Sequence, residues 1–526
     1  MAEIKLSKID DAAEKAARGI PKNVRLAFLF SVSFGLLLHG FALFNKLVNR
    51  DEIPGLFASH DRTVIGRFFL SFLRDLFSNY SLPFVNGLVA ILSLSAAAAL
   101  TVAILRIRKP LNVILSCAAL LAFPTVGNFL SYMHTADANA IGLLIGVIGA
   151  YFLDRTKWGF LPAAALFSLS LGTYQANICF IGALMALRGL EIVLQGERSD
   201  RDVLLTIARY VLAFGLGAAL YSGMNSLVLA VKGQELVSYM GISEASNASL
   251  ADTLQNAAGG YRDLYGFLTR DSQDMTTRLM PIAHGCLAAL STLLFLLRLT
   301  VPKSRTALQT ALAVIVYLLL PLAFNSIVLF NPELVHILMR HSAAFFYILP
   351  LLLLEDGTAQ FKSGRNFVRA LASYAAAALV LLSVWSWSLY TNEGYLLQKL
   401  KYDNIYALLN RVVDSIECSP EYVQGMPVAF LGEPAEGNYP PTKEAYLDAF
   451  FTGVGYGDKS DYGYINDDKH VQHFIRYYIG VGFAETDEGT RNAIEALQET
   501  CDMPCYPEAG SIRKMDDVLV VKLGAF

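Results

Sequence analysis

The chain has too little charge for a soluble protein of its length. Only 17% of its 526 residues are charged, whereas soluble domains carry about 25%. Hydrophobic residues make up 54% of the sequence, and the mean hydropathy is +0.44. The shortfall lies in long runs almost free of charge, each sufficient to cross a hydrocarbon core of about 30 Å. The sequence therefore predicts a polytopic α-helical membrane protein.

Other absences narrow the class further. The first 23 residues have mixed charge and no apolar core, so they predict a cytoplasmic tail and not a cleavable signal peptide. The net charge of −3 gives no indication of nucleic-acid binding. No Gly-rich nucleotide loop is present, so the chain has no motif for a nucleotide-linked substrate.

Cysteine is scarce, with six residues. The first three, Cys117, Cys179 and Cys286, lie in apolar runs and are predicted to be small buried side chains. The other three lie in the C-terminal part, at positions 418, 501 and 505. We expect one disulfide among these three, because the part that contains them faces an oxidising compartment. A zinc site is the alternative, although no His lies near them.

Eleven apolar runs predict the membrane-spanning helices. They cover residues 24–48, 83–105, 110–132, 137–153, 158–173, 174–194, 203–230, 279–299, 306–330, 341–355 and 368–390. Lys and Arg concentrate in every second connection, which is the pattern of cytoplasmic loops, so the N-terminus is predicted to be cytoplasmic. Four segments then face outward: 49–82, 231–278, 331–340 and the chain from residue 391.

The C-terminal part differs from the rest. Turn residues and mixed charge surround two short apolar runs, at 428–431 and 518–521, which predict buried strands, and 490–500 has a helical pattern. We therefore predict a cytoplasmic tail at 1–23, a transmembrane domain at 24–390 and a small extracytoplasmic α/β domain at 391–526.

The first outward loop opens with two adjacent carboxylates, Asp51 and Glu52. A carboxylate at the membrane edge suits a general base that takes a proton from a sugar hydroxyl. If the two lie close together, their repulsion requires a proton or a divalent cation, such as Mg²⁺ or Mn²⁺, between them. A charge pair that only marks the end of a helix is the alternative.

Cationic side chains are predicted at the same level. Arg62 and Arg67 follow the acidic pair, and Arg340 and His341 end the last outward link. An arginine at headgroup height can bind a lipid phosphate, while snorkelling explains Arg340 without a ligand. The segment 68–77 has apolar residues at helical spacing with one charged corner, and it predicts an amphipathic helix in the membrane interface.

Two further segments supply polar groups on the outward side. Asp137 opens the fourth run, where it could face Asp51 across a cavity or simply cap a helix. His134 is either a polar lining residue or an interfacial one. Near Gly172 a tight turn must divide one over-long apolar stretch, and such backbone is tolerated where it lines a cavity. Gln175 in that turn could bind a ligand or join two helices.

The order of these segments along the chain resembles that of the Gtr-type glucosyltransferases that decorate O-antigen, a family of the GT-C class. The resemblance covers residues 24–360. It depends on the acidic pair, on Gly66-Arg67 before the interfacial helix, on Ser131-Tyr132 with Asp137, and on the run from Ser170 to Gln175. The chain has Asp51-Glu52 where the family has two Asp residues, and His134-Thr135-Ala136-Asp137 where the family has Arg-Phe-Asp.

The resemblance implies inverting transfer of a sugar, glucose in this family, from a polyprenyl-phosphate carrier to a lipid-linked or polymeric glycan such as the O-antigen of lipopolysaccharide. It implies a bacterial inner-membrane protein whose C-terminal domain is periplasmic. The implied catalytic residues are Asp51, Glu52 and Asp137. From the outward loops and the resemblance together, the predicted substrate- or phosphate-binding residues are Arg62, Arg67, His134, Tyr174, Gln175, Arg340 and His341. The alternatives are a flippase or transporter of lipid-linked glycans, a polysaccharide polymerase, and a scaffold without catalytic activity.

Overall fold

The computed structural model describes residues 19–54, 56, 61–77, 80–237, 250–300, 305–330, 335–355, 363–434, 465 and 467–525. The helices are α1 (Lys22–Phe44), α2 (Phe68–Phe77), α3 (Pro83–Leu105), α4 (Pro110–Ala122), α5 (Pro124–Ser131), α6 (Met133–Arg155), α7 (Phe160–Leu171), α8 (Asn177–Gln195), α9 (Asp200–Lys232), α10 (Leu250–Gly266), α11 (Ser272–Met275), α12 (Met280–Thr300), α13 (Ala307–Phe324), α14 (Phe345–Leu353), α15 (Ser363–Glu417), α16 (Asp468–Phe474), α17 (Glu488–Glu495) and α18 (Gln498–Asp502). The strands are β1 (Pro427–Leu431), β2 (Ala484–Glu485), β3 (Ile512–Met515) and β4 (Val518–Lys522).

Each of the eleven predicted apolar runs contains helix. Within the described residues, eight helices are long and apolar enough to cross a bilayer: α1, α3, α6, α8, α9, α12, α13 and α15. A ninth candidate is the pair α4 and α5, bent by 43° where Pro124 begins α5, because proline lacks an N–H and clashes with the preceding turn. The helices α7 and α14 are shorter; the 12 residues of α7 extend only about 18 Å. The predicted number of eleven crossings thus stays a prediction.

Ion pairs gather at the end of the bundle where the basic connections lie. Arg188 Nε lies 2.7 Å from Asp154 Oδ1, and Arg298 Nη1 lies 2.9 Å from Glu191 Oε2. These side chains sit near the C-terminal ends of α6, α8 and α12. The acidic loop, by contrast, follows the C-terminal end of α1 and contacts the opposite ends of α6 and α8. These ion pairs and the acidic loop therefore lie at opposite ends of the bundle.

Helix α15 runs 55 residues without a break, so the predicted boundary at 390/391 falls inside a helix. Hydropathy declines there, but apolar residues continue at helical spacing, among them Ile405, Leu409, Val412 and Ile416, all fully buried. They pack against the C-terminal sheet. The second half of α15 and the sheet thus share one core, and we call these elements the C-terminal domain.

The sheet has the order β2-β1-β4-β3, with β1 parallel to β2 and β4 and antiparallel pairing of β3 with β4. The two runs predicted as strands form β1 and β4. One face of these strands packs on α15, and the other packs in a smaller cluster that contains Ile494 of α17 and Met503 after α18. Because β1 and β4 are covered on both faces, they read as continuous apolar runs.

The cysteine predictions are only partly confirmed. Cys117 and Cys179 are buried, but Cys286 is exposed, because it lies on the outer face of α12. Cys418, Cys501 and Cys505 are thiols, so the predicted disulfide is absent among these described residues. Cys418 follows α15 on one side of the sheet, whereas Cys501 lies in α18 on the other side.

Helix α2 is anchored to the turn between α7 and α8. The backbone N–H groups of Phe69 and Leu70 donate to Gly172 O at 2.8 and 3.2 Å, so the turn satisfies two donors at the start of α2. A Cβ atom on Gly172 would lie 2.6 Å from the Phe68 ring. The close approach of α2 to this turn therefore requires glycine.

We expect Gly172→Ala to destabilise the protein by about 1–3 kcal/mol, because the added methyl group must displace Phe68. The φ of Gly172 is −68°, so alanine introduces no backbone strain, and the contact alone is tested. The measurement is the thermal unfolding midpoint in detergent. Gly189→Ala is the control, since a Cβ there meets nothing within 4 Å, and it should leave stability unchanged or raise it. Equal midpoints for both variants would contradict the proposed anchor.

Candidate active site

The two carboxylates of the acidic pair point in different directions. Residues 50–52 form one turn of 3₁₀ helix, in which Asn49 Oδ1 accepts from the Asp51 backbone N–H at 2.9 Å. Glu52 turns back into the protein and is 1% exposed, whereas Asp51 is exposed to solvent. Successive residues of such a turn lie about 120° apart. The local turn therefore prevents the two carboxylates from forming one site.

Donors from three segments surround the Glu52 carboxylate. Lys46 Nζ lies 3.2 Å from Oε2, and the Asn49 backbone N–H donates to the same oxygen at 3.4 Å. Oε1 accepts from Ser81 Oγ and from the His134 backbone N–H at 3.1 Å. His134 is the second residue of α6, so Glu52 satisfies an unpaired donor at the positive end of that helix. Glu52 thereby fastens the loop to the start of α6.

The same contacts keep Glu52 ionised. Burial alone would raise the pKa of this carboxyl, but Lys46, His134 and Ser81 outweigh it and lower the pKa from 4.5 to about 2. With its oxygens already occupied by these donors, Glu52 is not suited to share a divalent cation with Asp51. The described residues also contain no group of three or more His, Cys, Asp or Glu that could hold a metal ion.

A pocket of about 100 Å³ opens beside Asp51. Its walls come from the segment between α1 and α3, the end of α5, the start of α6, the turn before α8 and the link before α14. The lining residues are Asp51, Arg62, Ile65, Arg67, Leu70, Phe129, Tyr132, His134, Thr135, Asn139, Tyr174, His336, Leu338 and Met339. Five of the ten residues selected from the sequence therefore meet in one cavity: Asp51, Arg62, Arg67, His134 and Tyr174.

Arg67 enters this pocket from a turn with left-handed backbone. Gly66 has φ +78°, and a Cβ there would lie 2.5 Å from Tyr221 Oη, so the position requires glycine. The Arg67 guanidinium carbon lies 4.9 Å from the centre of the Tyr174 ring, at cation–π distance. The turn at Gly66 thus places the Arg67 guanidinium over the Tyr174 ring in the pocket.

Gln175 holds this turn in place from outside the pocket. Its Nε2 donates to Ile65 O at 3.1 Å and lies 3.2 Å from Tyr221 Oη. Tyr221 Oη in turn donates to Gly66 O at 3.1 Å. Of the two readings of Gln175 left open by the sequence, the geometry favours the one in which it joins protein segments.

Asp137 lies behind the pocket wall. It is 2% exposed, and its Oδ2 accepts from Asn86 Nδ2 at 3.0 Å. Thr135 and Asn139 of the same helix line the pocket. At 100° per residue, Asp137 points about 200° away from Thr135, so the three cannot share a face. The expected opposition of Asp137 and Asp51 across a cavity is not what the structure contains.

Arg340 and His341 also lie outside the pocket. Arg340 makes a two-pronged ion pair with Asp263 of α10, at 2.6 and 3.0 Å. His341 is buried in the bundle, where its Nε2 donates to Leu120 O at 3.1 Å and its ring lies 4.8 Å from that of Phe180. Both predicted phosphate ligands are therefore engaged by the protein itself.

The site residues predicted from the sequence did not include Thr135, Asn139 or His336, which line the pocket, and Tyr132 was quoted only as part of a motif. The spacing of Thr135 and Asn139, four residues apart at the start of a helix, would have indicated a shared face. His336 lies in a link already assigned to the outward side, and only the folded chain brings that link against the first loop.

The C-terminal domain touches the acidic turn from its other side. Val48 and Ile53, which bracket the turn, are fully buried and belong to the core formed by α15 and the sheet. Gln398 Nε2 of α15 donates to Val48 O at 3.0 Å, and Arg50 Nη2 lies 3.6 Å from Asp467 Oδ2. The turn is thus held between the membrane bundle and the C-terminal domain.

Comparison with known proteins supplies the family. The model of the glucosyl transferase GtrII family matches residues 40–354, more than half of the chain. The chain belongs to the GtrII glucosyltransferase family. This confirms the resemblance drawn from the acidic pair and the Gly-Arg and Tyr-Gln motifs. Neither the curated proteins nor the solved structures contain a match.

The family match covers every residue that lines the pocket, from Asp51 to Met339. It ends before α15 and the sheet, although both contact the acidic turn. Among the described residues, the whole lining of the pocket thus lies in the GtrII part of the chain, while part of its support comes from outside the matched region.

We expect Glu52→Gln to destabilise the protein by about 3 kcal/mol at pH 7, because the folded state holds Glu52 ionised more tightly than the unfolded state. The folded pKa lies below the ordinary value. This stabilisation is therefore complete above about pH 4.5 and is lost as the pH falls towards 2. The measurement is the unfolding midpoint of the wild type and of Glu52→Gln at pH 7 and at pH 3. The difference between the two proteins should be smaller at pH 3. Asp51→Asn, which alters the exposed neighbour, should leave the midpoint unchanged; a constant gap for Glu52→Gln would contradict the assignment.

Proposed function

We propose that the protein transfers glucose from a polyprenyl-phosphate carrier to a surface polysaccharide such as O-antigen, on the outer face of the bacterial inner membrane. One observation carries this proposal: Asp51, Arg62 and Arg67 line a single pocket at the loop-bearing end of the bundle. A base and two phosphate-binding cations are the groups that such a transfer needs, and membership of a glucosyltransferase family supports the sugar.

The proposed reaction is an inverting displacement of the GT-C type. The Asp51 carboxylate takes the proton of the acceptor hydroxyl, whose oxygen attacks the anomeric carbon of glucose. The bond between that carbon and the carrier phosphate breaks, and the phosphate leaves with the electron pair. Arg62 and Arg67 stabilise the departing negative charge, for which the planar guanidinium with paired donors is well suited. Glu52 acts as a positioning residue.

The surface next to the pocket suits a lipid-linked donor. Helix α2 buries Leu70 and Leu73 against the bundle but leaves Phe72, Leu76 and Phe77 between 49% and 64% exposed. Large exposed apolar side chains at the end of a membrane bundle are typical of contact with the lipid interface. The carrier's tail would remain in the bilayer beside α2 while its phosphosugar head enters the pocket.

The charge distribution supports the orientation. Basic connections gather at the end of the bundle opposite the pocket, as expected for the cytoplasmic side. The pocket and the C-terminal domain then face the periplasm, where an acceptor glycan can approach Asp51 from the exposed side of the turn.

We expect Asp51→Asn to lower kcat by about 10²- to 10⁴-fold, the usual contribution of a general base. The assay uses purified protein with polyprenyl-phosphoglucose and an O-antigen acceptor. Asp516→Asn is the matched control: Asp516 is exposed in the turn before β4 with φ +49°, which asparagine also adopts. Unchanged turnover in Asp51→Asn would refute the assigned base. Wild-type protein that moves a labelled lipid-linked glycan across vesicles without transferring glucose would support the flippase instead.

We expect Arg67→Lys to weaken transfer about 10-fold and Arg67→Gln to weaken it further. Lysine keeps the charge but loses the planar fork and its stacking on Tyr174. The measurement is kcat/KM for the donor at fixed acceptor concentration. Arg513→Gln is the comparison, because its ion pair with Glu499 lies on the protein surface outside the pocket. If Arg67→Lys and Arg67→Gln both matched the wild type, Arg67 would not be a phosphate ligand.

A further inference from the structure

The pocket has charged and uncharged parts that come from different segments. Its ionic groups are Asp51, Arg62 and Arg67, all from the first outward loop. The last outward link contributes His336, Leu338 and Met339 instead. Because Arg340 of that link is bound to Asp263 outside the pocket, this wall offers no guanidinium to a ligand. These described residues of the link therefore suit an uncharged part of a ligand.

His336 has a defined proton position. It caps the 3₁₀ turn Ile337–Met339, and its Nδ1 accepts from the Leu338 backbone N–H at 3.2 Å. A neutral imidazole carries one proton, so the proton must lie on Nε2. Burial and, to a smaller extent, the positive charge of Arg340 together lower the pKa of His336 to about 4, so the ring is neutral at physiological pH. His336 is thus a single uncharged hydrogen-bond donor.

The link that carries His336 is held at both ends. The Arg340–Asp263 pair fixes the end of the turn to α10, and Thr125 Oγ1 donates to Ile337 O at 2.7 Å from α5. A donor held by such supports keeps its direction when a ligand arrives, which is the requirement for selecting one group of a substrate over another.

We propose that His336 Nε2–H donates a hydrogen bond to one hydroxyl group of the transferred sugar and thereby determines which sugar the pocket accepts. This inference rests on the proposed glucosyl transfer. A neutral donor matches a hydroxyl oxygen, whereas the phosphate is better matched by the two arginines of the first loop. Hydroxyl recognition discriminates strongly, because an analogue that lacks the hydroxyl leaves the buried donor unpaired.

The test measures each His336 variant with each of several donors that lack one hydroxyl group, so that the effect of the substitution can be compared with the effect of losing the hydroxyl. The donors are polyprenyl-phosphate-linked glucose and its 2-, 3-, 4- and 6-deoxy forms, and the readout is kcat/KM. In wild-type protein, removal of the contacted hydroxyl should lower kcat/KM about 10- to 100-fold. His336→Asn should lower kcat/KM for glucose by a similar factor and abolish the response to that one hydroxyl. The other deoxy donors should keep their wild-type ratios.

Two substitutions separate recognition from structure. Asparagine is a favoured helix cap, so His336→Asn keeps an acceptor for the Leu338 N–H while its shorter side chain loses reach; its unfolding midpoint should equal that of the wild type. His336→Gln presents a neutral amide donor on a longer side chain and should restore part of the discrimination. Asn139→Ala, which alters another lining residue, should leave the response to the hydroxyl assigned to His336 intact.

The outcomes are distinct. If the wild type transfers glucose but His336→Asn preserves the full deoxy pattern, or lowers all donors equally together with the unfolding midpoint, His336 has only a structural role and the inference is wrong. If the wild type transfers sugar from none of the donors, the proposed function itself fails.

Discussion

The site depends on the burial of one ionised carboxylate, that of Glu52. A charge removed from water is tolerated only when donors surround it, and here they come from residues 46–49, from Ser81 and from the start of α6. These segments must therefore come together on folding, because the free-energy cost of burying the Glu52 charge would otherwise be uncompensated. Their meeting turns Asp51 outward, because adjacent residues of a 3₁₀ turn point in different directions. The position of the exposed carboxylate is thus a consequence of the buried one.

The opposite end of the first loop is fixed by close packing and not by charge. Gly172 receives the start of α2, and Gly66 lies against Tyr221 and Gln175, with too little room for a side chain at either glycine. Backbone carbonyls accept the hydrogen bonds at both contacts. Arg67 directly follows the rigid turn at Gly66, so this turn fixes the position of the Arg67 guanidinium. Glycines that look unremarkable in the sequence therefore control where the cationic part of the pocket lies.

Helix α15 connects the membrane bundle with the C-terminal domain without an intervening linker. Its first half is apolar enough to cross a bilayer, and its second half packs on the sheet. Because Val48 and Ile53 enter the same core, the C-terminal domain supports the acidic turn directly. The family match ends before this helix, so the chain combines the lining of a GtrII pocket with support that lies outside the matched region.

Local pattern alone determined the class of this protein, its apolar helices and the strands β1 and β4, since hydrophobic runs and their period are properties of neighbouring residues. It also singled out the motifs by which the family was recognised. Only the tertiary structure decided that Asp51 faces the pocket, that Glu52 and Asp137 do not, and that His336 does. Side-chain direction in a short turn, and contacts between segments far apart in the chain, depend on the packing of the whole bundle and are not encoded in any local period.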